Sequence, residues 1–218
     1  MALFPGEYIH IGGDEAKKDQ WEASTRIQAL LKERDLEDMH EMQSWFIRQI
    51  DAYLTAKGRK LIGWDEILEG GLAEGAVVMS WRGDQGGIQA VNQGHKVVMA
   101  HNKFLYFDHY QSIDKAREPL AIGGYLPLSK VYAYEPVPKG LTDEEADLIL
   151  GAQGQLWTEY IPTLEHLEYM AFPRACALAE VLWRPVGGGV YEDFLVRLED
   201  HLERLNMAGV HYHQGPYE

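Results

Sequence analysis

Three things are scarce in this chain, and each scarcity closes off a class of function. It has one cysteine, Cys176, which excludes an intrachain disulfide and any cysteine-based zinc site. Cys176 lies in the apolar run Arg174-Ala175-Cys176-Ala177-Leu178-Ala179, where a small buried side chain is expected rather than a reactive thiol. Cations are few: 20 Lys and Arg stand against 34 Asp and Glu, a formal net charge of −14 over 218 residues. Phosphates and anionic lipid surfaces would be repelled, so nucleic acid is not a partner. Long apolar runs are missing too. No stretch approaches the roughly 18–20 apolar residues of a membrane helix, so no membrane insertion is expected. The first residues, Met1-Ala2-Leu3-Phe4-Pro5-Gly6, lack a basic n-region and run almost directly into a strand, so no signal peptide is expected in them.

What the chain does have is organised around His10-Ile11-Gly12-Gly13-Asp14-Glu15. Tyr8-Ile9-His10-Ile11 reads as a buried strand, and Gly12-Gly13 let the backbone leave it at angles other residues resist. Asp14 and Glu15 therefore sit at the C-terminal end of a strand, where parallel α/β proteins place their chemistry. Successive strand side chains point to opposite faces, so the two acids should not share one role. One general acid beside one orienting or charge-stabilising group suits the pair. On these residues alone, a strand end merely solvated by two acids stays open.

Downstream, helix and strand signals alternate. A short helical segment is expected over residues 21–34. A stronger helix follows over 38–57, with Met42, Trp45, Phe46, Ile50, Tyr53 and Leu54 as its core stripe and Gly58 as its C-terminal cap. Strands are expected at 60–64, 76–81 and 96–100, with a further apolar segment at 104–108 and a short helix at 86–93 that stops at Gly94. Such alternation predicts parallel pairing. Residues 109–140 form a long, proline-marked connection of the kind that is usually functional or partly structured. Thr142-Asp143-Glu144-Glu145 is a capping box opening a helix that ends near Ile149. The last strand is expected over 150–157. A helix from residue 163 is interrupted at Pro173 and resumes to Trp183, and a closing helix covers 191–206. The length fits one domain over 1–218.

His10-Ile11-Gly12-Gly13-Asp14-Glu15 resembles the HxGGDE signature of the family 20 β-N-acetylhexosaminidases. Gly63-Trp64-Asp65-Glu66, Ser80-Trp81-Arg82-Gly83, Tyr106-Phe107-Asp108 and Gly151-Ala152-Gln153-Gly154-Gln155-Leu156-Trp157-Thr158-Glu159 resemble that family's later motifs, in the family's order. The resemblance implies a partial TIM-type (β/α)8 barrel holding about the last five βα units. A whole barrel takes about 250 residues, and this chain is expected to start at the fourth strand. It also implies hydrolysis of terminal β-linked N-acetylhexosamine. The acids and His10 show no HExxH or similar ligand spacing, so no metal and no cofactor is expected. Glu15 would be the general acid and base, its pKa raised by burial and by the Asp14 charge. No enzyme nucleophile is implied: the substrate's own 2-acetamido oxygen attacks the anomeric carbon, giving an oxazolinium-like intermediate. Asp14 would orient the acetamido N–H, and Tyr106 would donate its hydroxyl to the acetamido oxygen.

Trp64, Trp81 and Trp157 would line the sugar, since a pyranose presents C–H surfaces that pack on indole rings. Any one of them reads equally well as an ordinary core residue. Asp108 and Glu159 would accept hydrogen bonds from sugar hydroxyls. Asp65 and Glu66 are expected in supporting work, and His10 in a structural hydrogen bond. Two alternatives stay open. One is a truncated, non-catalytic fragment that binds amino sugars; the other is a glycosidase with a conventional nucleophile, for instance Asp65 or Glu159. The partner is an amino-sugar-containing oligosaccharide or glycoconjugate. Because a partial barrel exposes strand edges, a homodimer or association with an N-terminal half is expected. Many members of this family are exported, which leaves localisation open.

Overall fold

The structure, a computed structural model, describes residues 3–217. Met1, Ala2 and Glu218, the outermost residues of the expected 1–218 domain, lie outside the described residues. Five strands, β1 (Tyr8–His10), β2 (Lys60–Trp64), β3 (Val77–Ser80), β4 (Val97–Met99) and β5 (Ile149–Ala152), form one sheet in sequential order. Pairing is parallel, in the registers Ile9↔Leu61, Ile62↔Val77 and Val78↔Val97. Between and after them come α1 (Asp19–Ala23), α2 (Thr25–Glu33), α3 (Met39–Thr55), α4 (Asp84–Asn92), α5 (Asn102–Leu105), α6 (Leu128–Tyr132) and α7 (Asp143–Ala146). The helices α8 (Leu164–Ala171), α9 (Arg174–Trp183) and α10 (Tyr191–Met207) follow β5. The chain divides into two compact units, Met1–Met99 with Leu141–Leu150, and Ala100–Gly140 with Gly151–Glu218.

In the first unit β2, β3 and β4 are largely buried on both faces, with Leu61, Val78 and Val97 wholly inaccessible, as a parallel sheet covered by helices requires, while β1 is only half-buried to exposed. The expected helical segment at 21–34 is two helices, because Ser24 leaves the helical conformation and its hydroxyl accepts from the Ile27 N–H to cap α2. Asp38 caps α3 by accepting from the His40 and Glu41 N–H groups at 2.8 and 2.9 Å. Beyond its other end Gly58 takes φ +68°, and the Arg59 N–H bonds back to the Leu54 carbonyl. The capping box at Thr142 is present, but α7 is a single turn that ends at Ala146.

The inward face of α3 differs from the expected stripe. Met42, Gln43, Ser44, Ile47 and Leu54 are buried, whereas Phe46 and Tyr53 are 50% and 60% exposed. At 3.6 residues per turn, the buried arc centres on 43, 47 and 54, which leaves 46 and 53 at its rim. Phe46 instead meets Trp21 edge-on, with ring centroids 6.5 Å apart.

In the second unit, the segment expected at 104–108 is not a strand. His101 accepts from the Lys103 N–H and caps the one-turn α5, after which Tyr106 makes a lone parallel bridge with Gln155. The last strand is shorter than expected: β5 ends at Ala152, and Trp157 lies beyond it. The connection over 109–140 contains α6, whose Tyr132 stacks on Phe194 of α10 at 4.8 Å. The break between α8 and α9 falls at Pro173, as expected, and α10 buries Phe194, Leu198 and Leu205. Cys176 is half-buried rather than fully buried. Its thiol is pushed up to about 11 by burial, which leaves it protonated and inert.

The rotated face of α3 is open to a direct check. Ile47→Ala should cost roughly 2–5 kcal/mol in denaturant unfolding, and Phe46→Ala about 1 kcal/mol or less. The reverse order would restore the stripe expected from periodicity.

Candidate active site

In the first unit, β1 delivers the acid pair. Parallel pairing continues past the strand: the Ile11 N–H bonds to Ile62 O, and the Trp64 N–H to Gly12 O, both at 2.9 Å. The chain then turns through three left-handed residues, Gly12 at φ +74°, Gly13 at +103° and Glu15 at +47°. For a glutamate that conformation costs on the order of 1–3 kcal/mol, and it persists only where the surroundings over-determine it. They do so here. A Cβ on Gly13 would lie 2.6 Å from Ile67 Cγ2, so the turn is packed against Ile67. The buried Gln43 of α3 donates to the Gly13 carbonyl at 2.8 Å while Lys18 donates to Gln43. His10 does the structural work expected of it. Its Nδ1 accepts from the Gly12 N–H at 3.1 Å, and its ring meets Trp64 edge-on at 4.9 Å.

Ile67 belongs to a 3-10 turn, Asp65–Leu68, that organises the neighbouring strand end as well. Asp65 is 1% exposed. Its Oδ2 accepts from the Trp81 and Arg82 N–H groups, both at 3.1 Å, and its Oδ1 accepts from Arg82 Nε at 2.6 Å. Glu66, also buried, accepts from the indole Nε1 of Trp81 at 2.9 Å. Burial is the largest influence on the Glu66 carboxyl and pushes its pKa up, against the Trp81 hydrogen bond. Arg82 is further tied to Glu69 at 2.9 Å. Both acids thus hold Trp81 in place. Neither Asp65 oxygen is available to attack a substrate, which argues against Asp65 as a conventional nucleophile. Trp64 is buried and Trp81 half-buried. Asp14 is half-buried and Glu15 exposed, so the burial expected around Glu15 is not supplied by this unit.

The second unit carries Tyr106, Asp108, Trp157 and Glu159. Two hydrogen bonds of 2.7 Å, Phe107 N–H to Gln155 O and Gln155 N–H to Leu105 O, lock the Tyr106 and Gln155 segments side by side. A Cβ on Gly154 would lie 2.6 Å from the Phe107 ring, so glycine permits that approach. Asp108 is 4% exposed, and its Oδ1 has no hydrogen-bond partner among the described residues. Gln155 is buried as well, and its Nε2 is likewise unpartnered. Burial raises the Asp108 carboxyl to about 6, the Glu159 charge adds to the rise, and Arg174 opposes it. Trp157 is 42% exposed, and Glu159 is exposed. Unpaired buried polar atoms are uncommon in folded proteins, and two of them next to exposed aromatic and acidic side chains suit a polyhydroxylated ligand.

The sequence profile described as "Glycosyl hydrolase family 20, catalytic domain" matches residues 1–186. The chain belongs to glycosyl hydrolase family 20. A beta-hexosaminidase of Porphyromonas gingivalis is 51% identical over 212 residues, covering 97% of this chain and 27% of that protein. One from Vibrio furnissii is 34% identical over 182 residues, with coverages of 82% and 30%. The solved exo-β-N-acetylglucosaminidase of Vibrio harveyi, in complex with N-acetylglucosamine, superposes with a TM-score of 0.86 at 33% identity, over 100% of this chain and 34% of its own. The chitobiase of Flavobacterium johnsoniae gives 0.82 at 34% identity, over 96% and 31%. The chain therefore spans between 27% and 34% of the length of these proteins. Its five parallel strands with outer helices are part of the family 20 (β/α)8 barrel.

Two further residues support the site without standing out in the sequence, Gln43 and Gln155. Gln43 lies between Met42 and Ser44 on α3, where an amide looks like an imperfection of the apolar stripe. Gln155 lies inside the 151–159 motif, where the resemblance implies no role for it. A buried amide needing partners was the available signal for both.

Two outcomes follow for this site. Asp65→Ala strands the Trp81 and Arg82 N–H groups and should cost about 3 kcal/mol in denaturant unfolding, with a change in tryptophan emission. An unchanged stability would remove the clamp. For Asp108 the folded pKa, about 6, exceeds the ordinary value of about 3.9. Its contribution to stability is thus complete below about 4 and is lost as pH rises through 6. Asp108→Asn should accordingly gain on the wild type by roughly 1–3 kcal/mol between pH 4 and 7; parallel stability curves would contradict this.

Proposed function

We propose that this chain carries the catalytic acids of a β-N-acetylhexosaminidase. The enzyme hydrolyses terminal non-reducing β-linked GlcNAc or GalNAc from an oligosaccharide or glycoconjugate, and its two compact units belong to one catalytic domain. Supporting this reading are the family match over residues 1–186 and the relatives named as hexosaminidases. The observation that carries it is Glu15, exposed and held at φ +47° by a turn packed on Ile67 and bonded to Gln43. A carboxylate kept in a strained conformation at a strand end is placed for chemistry rather than for stability.

Glu15 protonates the leaving glycosidic oxygen as the substrate's acetamido oxygen closes on the anomeric carbon. Its proton then comes back from the water that opens the oxazolinium ring, so the product retains its configuration. Asp14 orients the acetamido N–H and offsets the positive charge that develops there. Tyr106 donates to the acetamido oxygen, Asp108 and Glu159 accept from sugar hydroxyls, and Trp64, Trp81 and Trp157 pack on the ring. No residue of this set needs a metal or cofactor. The β1 edge of the sheet, unpaired on its outer side among the described residues, takes a further strand from a second copy or another segment. Strictly monomeric elution at micromolar concentration would count against that association.

Hydrolysis of a chromogenic β-GlcNAc glycoside by the purified protein tests the chemistry. Glu15→Gln should lower kcat by about 10²–10⁴-fold, and a thiazoline mimic of the bicyclic intermediate should inhibit competitively. Full turnover in Glu15→Gln would overturn the assignment. Binding of the mimic without any turnover would favour a non-catalytic sugar-binding protein.

A further inference from the structure

Arg174 opens α9 in the middle of an apolar run and is wholly inaccessible. A buried cation normally sits on a carboxylate, yet no salt bridge to Arg174 occurs among the described residues. All five of its N–H groups go instead to backbone carbonyls. Nε donates to Met170 O at 3.1 Å, Nη1 to His109 O at 2.9 Å and Leu126 O at 3.2 Å, and Nη2 to Met170 O at 2.6 Å and to Phe107 O. The guanidinium also lies over the Phe107 ring, 5.3 Å from its centroid. Phe107 and His109 are the two neighbours of Asp108. The fork therefore grips the chain on both sides of that residue and fixes which way the Asp108 side chain leaves it.

We propose that Arg174 is a positioning residue for Asp108, setting both the direction and the ionisation of that carboxylate toward a sugar hydroxyl. The inference rests on the role given to Asp108 under the proposed function. Its geometry needs arginine in particular. Lysine has three donors on a point charge and cannot serve carbonyls diverging in a plane. Its electrostatics follow from placement: the charged and titratable groups acting on Arg174 and Asp108 are Glu118, Tyr169 and Glu159, with His109 and His213 feeling the guanidinium in turn. Of these, Arg174 is the cation that favours ionised Asp108, while Glu159 disfavours it.

Two measurements on the whole protein test this. By NMR, the Arg174 Nε–H resonance in the wild type should shift with the same midpoint as the Asp108 carboxyl, and that step should vanish in Asp108→Asn. This arm needs no activity and no substitution at Arg174, so it stands if the hydrolase reading fails or if an Arg174 variant does not fold. An Nε–H resonance blind to Asp108 ionisation overturns the proposal. By kinetics, Arg174→Lys should lower kcat/KM about tenfold in the wild type and have no further effect in Asp108→Asn, since residues acting as a unit do not add. Losses that multiply, or a folded Arg174→Lys with unchanged kcat/KM, would show that Arg174 acts elsewhere.

Discussion

The carboxylate of Asp65 is the constraint on which the first unit depends. An ion that is 1% exposed is stable only if its oxygens are satisfied, and here the chain after β3 satisfies them with the Trp81 and Arg82 N–H groups and the Arg82 side chain. That requirement brings the end of β3 to the end of β2. The same 3-10 turn projects Ile67 against Gly13 on the other side, so the end of β1 is set by packing where the end of β3 is set by charge. Four consecutive residues, Asp65 to Leu68, thereby register three strand ends. A change at Asp65 would be felt at Trp81 first, and one at Ile67 at the acid pair.

The second unit solves the converse problem. Arg174 is a buried cation, and its charge is spread over four carbonyls rather than set against one anion. Carbonyl dipoles solvate a guanidinium without fixing a counter-charge, which leaves Asp108 free of a direct ion pair. Both oxygens of Asp65 are engaged by the chain after β3, which ties that carboxylate to the fold. Asp108 keeps one oxygen unpartnered. The contrast separates an acid used to build the site from an acid left to bind something in it.

How far the sequence made this visible depends on chemical distinctiveness. The acid pair, the double glycine before it and the parallel strand alternation were legible, because each needs residue types that little else explains. The capping box at Thr142 and the break at Pro173 were legible for the same reason. Length and face were harder. One residue of rotation on α3 exchanged Phe46 for Ile47, since apolar side chains outnumber the positions that bury them. Tyr106 read as part of a strand because Phe104 to Phe107 are apolar and aromatic, whereas His101 caps a helical turn there. The supporting amides of Gln43 and Gln155 escaped because their value lies in carbonyls distant in sequence. Arg174 carried a signal, a lone cation in an apolar run, but three of its four partners, Phe107, His109 and Leu126, are distant in sequence and lie in segments without periodicity.

An unpartnered Asp108 oxygen and an unpartnered Gln155 amide each cost about 1–3 kcal/mol, and both remain in the folded chain. Simple changes would relieve them, such as an apolar residue at either place, so their persistence calls for a return elsewhere. On the proposed reading that return is ligand binding. A sugar hydroxyl that donates to Asp108 regains what folding left unsatisfied, and a sugar lacking the hydroxyl leaves the cost standing. Sites built in this way discriminate against the missing group far more strongly than apolar walls discriminate shape. The tryptophans would then supply affinity for a pyranose in general, and the buried polar atoms would select which pyranose is held.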